Sequence, residues 1–139
     1  MTDPLAEYRQ VARDLAVDAV ALVPGPNFNR AFQKPFMSHE RPFVAVIPAQ
    51  GAPAAIVPNL ELGSWALVDF DGAVFDWRDQ DGYAAAFDAL AQHMPLSSLA
   101  VEGQVMRVFV HHALKQAMPE LKIVDGEKAI SGLRIVTTP

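Results

Sequence analysis

Ala19-Val20-Ala21-Leu22-Val23, cut short by Pro24-Gly25-Pro26, is the stretch on which the fold turns. Five apolar residues without alternation suit a strand covered on both faces, and the proline–glycine–proline run ends it at once. Such a strand needs a layer above and a layer below, which points to an α/β domain. Upstream, Asp3 and Pro4 read as an N-cap and first turn. Leu5, Tyr8, Val11, Ala12, Leu15 and Ala16 then recur at three-and-four spacing, the mark of a helix with one apolar face. Downstream, residues 43–47 and 54–57 are two further apolar runs. Gly51 between them supplies a turn, and Pro48 and Pro53 stop the strands, so an antiparallel hairpin is predicted.

Asn59 is placed to cap a short helix through Trp65. Residues 65–77 read as mixed: Val68, Phe70, Val74 and Phe75 suggest strand, interrupted by the turn signal Asp71-Gly72. Residues 83–94 and 105–118 carry helical patterns ended by Pro95 and Pro119. Short strands are expected at 99–101 and 121–124, and a final helical turn opens at Asp125 or Gly126 around Lys128-Ala129-Ile130. Helices alternate with strands in the second half while a hairpin fills the middle. That order predicts a mixed rather than all-parallel sheet.

The 139 residues suit one domain, with 51% apolar and 19% charged residues. With 16 acids against 11 bases the net charge is −5, and the bases are scattered, so no nucleic-acid or anionic-lipid footprint is expected. The absence of cysteine excludes disulfide scaffolds, zinc ribbons and thiol nucleophiles. No apolar run approaches the roughly 18 residues of a membrane span, and the first residues lack the pattern of a secretory signal. A cytoplasmic protein is the expectation.

Tests for local chemistry are mostly negative. His39, His93, His111 and His112 form no HExxH, and adjacent helical histidines point about 100° apart, too far for one metal. Asp79, Asp81, Gly82 and Asp88 fit positions of a calcium loop, but its first ligand would be Trp77, which has no oxygen to offer. Phosphate-loop, dinucleotide and nucleophile-elbow motifs are missing. Glu102 follows a strand, where α/β folds often put ligand-facing residues, although a helix-initiating acid is the simpler account. Trp65 and Trp77, flanked by apolar residues, are expected in the core.

The unusual segment runs from residue 27 to 43. It holds Phe28, Phe32, Phe36 and Phe43 together with Asn27, Asn29, Arg30, Lys34, His39, Glu40 and Arg41, between two predicted strands. Such a loop is either a ligand or partner surface or a cover that lays its phenylalanines over the sheet edge.

The order of these motifs resembles a known family. "DAVALVPGPNFNRAF" follows an amphipathic helix; "SHERPF" leads into "VAVIP" and "PAAIVPNLE"; then come "LAVEG", "KIVDGEKAI" and "GLRIVTTP". Together, from about Leu5 to Pro139, they resemble the N-terminal domain of the creatinase/prolidase/Xaa-Pro aminopeptidase metallopeptidases. The resemblance implies a three-layer α/β domain with a mixed sheet flanked by helices, of ribonuclease H-like topology. It implies that residues 1–139 are a single non-catalytic domain without a metal of its own. A C-terminal catalytic domain would follow, holding two divalent metals (Mn, Co or Zn) through two aspartates, a histidine and two glutamates.

In such proteins the N-terminal domain supports homo-oligomer assembly and limits access to short proline-containing peptides. The matching substrate-adjacent positions here are Asn27, Phe36, His39, Glu40 and Arg41. Arg41 is the foremost candidate to meet a substrate carboxylate, because a guanidinium can offer two parallel hydrogen bonds; a structural ion pair with Glu40 or another nearby acid is the competing account. The chain departs from the family pattern in Asn27-Phe-Asn-Arg30-Ala-Phe-Gln33-Lys34, which lacks the usual tyrosine and glycine, and in Val136-Thr137, where a lysine is usual. Two other readings remain: a free-standing small-ligand or protein-binding domain of the same fold, and a nuclease built on Asp69, Asp71 and Asp76.

Overall fold

A computed structural model describes residues 5–36 and 41–136, with side chains to residue 133. The expected N-cap at Asp3 and Pro4 lies outside them. Among the described residues six α-helices and six strands follow in the order α1 (Ala6–Asp14), β1 (Ala19–Leu22), α2 (Pro26–Phe32), β2 (Val44–Pro48), β3 (Ala54–Pro58), α3 (Leu62–Trp65), β4 (Ala73–Trp77), α4 (Ala84–His93), β5 (Ser98–Val101), α5 (Val108–Ala117), β6 (Lys122–Asp125) and α6 (Glu127–Val136). One sheet holds all six strands in the order β4-β3-β2-β1-β5-β6. β2 runs antiparallel to both β1 and β3, and every other pairing is parallel. The expected mixed sheet and hairpin are present, and β4 is an added edge strand beside the β3-β2-β1-β5-β6 set.

Period-two alternation divides the strand residues between two cores. Val20 and Leu22 of β1, Ala45 and Ile47 of β2, and Ala55 and Val57 of β3 face a layer built from α1, α2, α3 and α6. Ala19, Ala21, Val44, Val46, Ala54 and Ile56 face α4 and α5. Both sides of β1–β3 are thereby dry, which is why these strands read as unbroken apolar runs. The Arg9 guanidinium donates to the Pro48 and Gly51 carbonyls, and Arg13 to that of Ala49, so α1 clamps the hairpin turn whose Gly51 sits at φ +98°.

Four elements differ from the sequence reading. Residues 26–32 are a helix, not the start of a long loop. This segment is a poor helix former by propensity, but it buries Asn27, Phe28, Ala31 and Phe32 on one side, and packing outweighs propensity. It stops at Gln33, which takes the left-handed conformation. Val68 and Phe70 belong to no strand; they pack from a loop onto the aromatic core, and β4 begins only at Ala73. Asn59 caps nothing: its side-chain amide reaches across to Asp76 Oδ2 at 3.5 Å, and a 3-10 turn over Asn59–Glu61 leads into α3. The last helix is also longer than a single turn, running ten residues from Glu127. Asp125 Oδ1 accepts the Glu127 N–H at 2.9 Å and starts it.

The join of β4 to β3 is tight. A Cβ on Gly72 would lie 2.0 Å from the Pro53 carbonyl oxygen, immediately ahead of the Ala54–Ala73 pair. Gly72→Ala therefore has to push the edge strand away, and a loss of about 1–3 kcal/mol is expected. Gly63→Ala, where nothing lies within 4 Å, is the matched control and should cost nothing. Thermal melts of the two variants side by side check the difference.

Candidate functional site at the carboxyl end of the sheet

The strand directions gather the chemistry at one end. Since β1, β3, β4, β5 and β6 all run one way and β2 opposes them, five carboxyl ends and the start of β2 meet on the same rim. Asn27 follows β1, Arg41 precedes β2, Asn59 follows β3, Arg78 and Asp79 follow β4, and Glu102 follows β5. From the neighbouring strands β1 and β5 the chain departs to opposite faces, to α2 and to α5, which is where open α/β sheets form a crevice.

Here the protein fills that crevice itself. Glu102 is fully buried. One carboxylate oxygen accepts the Val23 N–H at 3.0 Å and the other accepts Asn27 Nδ2 at 2.8 Å. Asn27 Nδ2 also reaches Ser131 Oγ at 3.3 Å, and the Ser131 hydroxyl donates to Glu127. The Gln104 N–H donates to the second Glu127 oxygen at 3.1 Å. A cross-link therefore runs from the β1–α2 turn through the end of β5 to α6. Glu102 is neither a helix-initiating acid nor open to a ligand: its own carbonyl accepts the Val105 and Met106 N–H groups in a turn, and α5 begins only at Val108. Asn27 Oδ1 is buried and finds no hydrogen-bond partner among the described residues. Behind it, the Tyr8 hydroxyl donates to the Asn27 carbonyl at 3.4 Å and accepts Arg30 Nη1 at 3.2 Å, while Arg30 Nη2 pairs with Glu7 at 2.8 Å. Burial pushes the Tyr8 hydroxyl above the usual tyrosine range, with the Arg30 hydrogen bond pulling the other way.

The second feature is a two-pronged ion pair. Arg41 Nε and Nη2 donate to Asp79 Oδ1 and Oδ2 at 2.9 and 2.7 Å. That hydrogen bonding holds the Asp79 carboxyl below the ordinary aspartate range, so the pair is ionised at neutral pH. Trp77 anchors it from beneath: its buried indole N–H donates to the Pro42 carbonyl at 3.0 Å, fixing the start of β2 against the end of β4. A cleft opens beside the pair, with Pro58, Asn59, Leu60, Trp77, Arg78 and Gln80 around it.

Of the five residues expected near substrate, Asn27 and Arg41 sit on this rim, but in separate networks. His39 and Glu40 lie outside the described residues. Phe36 is 3% exposed and packs on Phe28, Phe43 and Trp65, so its ring belongs to the sheet-covering aromatic cluster. The phenylalanines of the 27–43 segment thus cover the sheet, as do both core-assigned tryptophans. Among the described residues no three histidine, aspartate or glutamate side chains converge to hold a metal. Asp69, Asp71 and Asp76 are exposed, Asp76 on β4 and the other two ahead of it, and among the described residues they belong to no cluster of that kind. No helix among the described residues is long and apolar enough to cross a membrane. Sequence reasoning missed Asp79 as the partner of Arg41, and it missed Arg78. Both lie in a stretch that stands out along the chain only for its acids, and the Arg41–Asp79 pairing joins residues 38 positions apart across β3.

The family model for the creatinase/prolidase N-terminal domain matches residues 5–136. No curated protein matches the chain. Among solved structures, the fold is similar to the creatinase/prolidase N-terminal domain of an X-Pro dipeptidase from Streptococcus pyogenes, with a TM-score of 0.81 at 16% identity, covering 92% of this chain and 96% of that one. It is also similar to a prolidase from Thermococcus sibiricus, with a TM-score of 0.79 at 22% identity, covering 96% of this chain but 37% of that one. A dipeptidase from Mycobacterium ulcerans gives a TM-score of 0.79 at 23% identity, over 97% and 36%. The chain thus spans about a third of the length of the two longer relatives. With the six-stranded mixed sheet and the match over nearly all its length, this chain belongs to the creatinase/prolidase N-terminal domain family.

Proposed function

We propose that this chain is the non-catalytic N-terminal domain of a metal-dependent Xaa-Pro peptidase, where it supports oligomer assembly and limits which peptides reach the active site. The observation that carries this reading is the family match over residues 5–136. The share of the longer relatives that the chain spans agrees with it, since the remaining two-thirds leaves room for a catalytic domain that holds two metals. The role of this domain is then steric and electrostatic. Its carboxyl-end rim, with Arg41, Asp79 and Arg78, is the surface it would turn toward a neighbouring active site.

Two measurements test the reading. The 139 residues should leave Ala-Pro and Gly-Pro intact with manganese, cobalt or zinc present; hydrolysis that a chelator abolishes would overturn the non-catalytic assignment. Sequencing the reading frame beyond Pro139 should reveal a domain with ordered Asp, Asp, His, Glu and Glu ligands. A stop codon there would remove the peptidase and leave a free-standing binding domain.

A further inference from the structure

We infer that the cleft beside the Arg41–Asp79 pair is a carboxylate-binding site whose anion contact is Arg78. This deepens the proposed role of the rim and rests on it for the identity of the ligand, but not for the chemistry. Arg41 already spends two of its donor directions on Asp79 at 2.9 and 2.7 Å, and the two charges cancel. Arg78 is different. Its side chain is exposed on the cleft wall and has no hydrogen bond or ion pair among the described residues. Among the described residues lining the cleft it is the charge left over once Arg41 and Asp79 cancel, and a guanidinium with a full set of donors recognises a carboxylate by two parallel hydrogen bonds.

The backbone fixes where that charge stands. The carbonyl of Arg78 accepts the N–H groups of Asp81 and Gly82 at 3.0 and 2.9 Å, closing a tight turn in which Gly82 takes φ +78°. On the other side, Trp77 is paired with Pro58 and tied to Pro42. The side chain of Arg78 is thus mounted on a braced stem at the end of β4. Pro58 and Leu60 line the same cleft, and Leu60, 71% exposed, is a large apolar side chain left in water there. The half-buried Asn59, whose amide also reaches Asp76, and the exposed Gln80 complete the lining. A free carboxylate next to a compact apolar ring or branched chain satisfies both halves, and the C-terminal residue of a short apolar-ended peptide has that form. Asp79 acts as the internal competitor: it keeps Arg41 from the same anion.

The test is a titration of the isotope-labelled chain with N-acetyl-proline, following the Arg78 Nε–H, the Trp77 indole and the Asn59 amide by NMR. N-acetyl-prolinamide, which lacks the charge, is the control. The expected result is saturable shifts with the acid and none with the amide, with binding weakened about tenfold or more in Arg78→Gln. Asp79→Asn, which releases Arg41, should bind several-fold tighter. Equal response to acid and amide, no response at tens of millimolar, or unaltered binding by a folded Arg78→Gln protein would each overturn the inference. If N-acetyl-glycine binds as tightly as N-acetyl-proline, the carboxylate site stands and the proline-peptide part of the proposed function falls.

Discussion

Replacing Glu102 by alanine should remove about 2–5 kcal/mol of stability, a large part of the margin of a domain this size. The carboxylate is fully buried and accepts from the Val23 N–H and Asn27 Nδ2, at 3.0 and 2.8 Å. Removing it strands the buried Val23 N–H and leaves Asn27 Nδ2 only its longer 3.3 Å contact to Ser131 Oγ. Each unsatisfied buried group costs about 1–3 kcal/mol, which sets the range. Glu102→Gln should cost less, because its oxygen still accepts one donor while its amide meets the other donor head-on. The measurement is urea unfolding of both variants. The midpoint should fall in the order wild type, glutamine, alanine, with the denaturant slope unchanged. A shift of under about 0.5 kcal/mol for alanine would mean that the pocket is wet and the clasp contributes little.

Phe28→Ala should be of similar size, about 3–5 kcal/mol. The Phe28 ring is fully buried, with ring centroids 4.8 Å from Phe32, 5.1 Å from Phe43, 5.7 Å from Phe36 and 6.0 Å from Trp65. No single neighbour can collapse into the space because each is held by the others: Trp65 alone also touches Phe32, Phe36, Phe43 and Phe70. A cavity therefore persists, and its cost adds to the lost transfer energy. Trp65 reports on it directly, so tryptophan fluorescence and chemical unfolding of Phe28→Ala and Phe28→Leu check the prediction. Leucine should recover most of the loss. Equal values for the two variants would mean that the site repacks and that the aromatic cluster is not the rigid seat of α2.

Both predictions fall on residues whose chemistry the sequence shows and whose role it conceals. Phe28 is plainly apolar, yet the segment around it reads as a loop because proline, glycine and asparagine dominate its start. Its helix exists through the burial of one side, a property of the assembled layer and not of seven residues alone. Glu102 is a charge after a strand, and nothing local states that its carboxylate turns inward. That direction is set by the Val23 N–H and Asn27, 79 and 75 residues distant in the chain.

Arg41 shows the same division at the candidate site. The alternative of a structural pair with a nearby acid was legible, but the acid is Asp79, which is near only because β3 and β4 run parallel and the start of β2 is pinned by Trp77. The cleft, and an Arg78 with no partner among the described residues, follow from the same register.

What this sequence determined by itself is the layered α/β class. Continuous apolar runs require cover on both faces, three-and-four spacing requires a core-facing helix, and the ordered motifs carry the family resemblance; all of these are local or serial patterns. What only the tertiary structure decided is the rim: which charge is buried, which is paired and which is left facing a cleft. Burial and pairing of a polar group are set by distance in space, and antiparallel and parallel strand pairing brings together residues that no spacing rule along the chain connects.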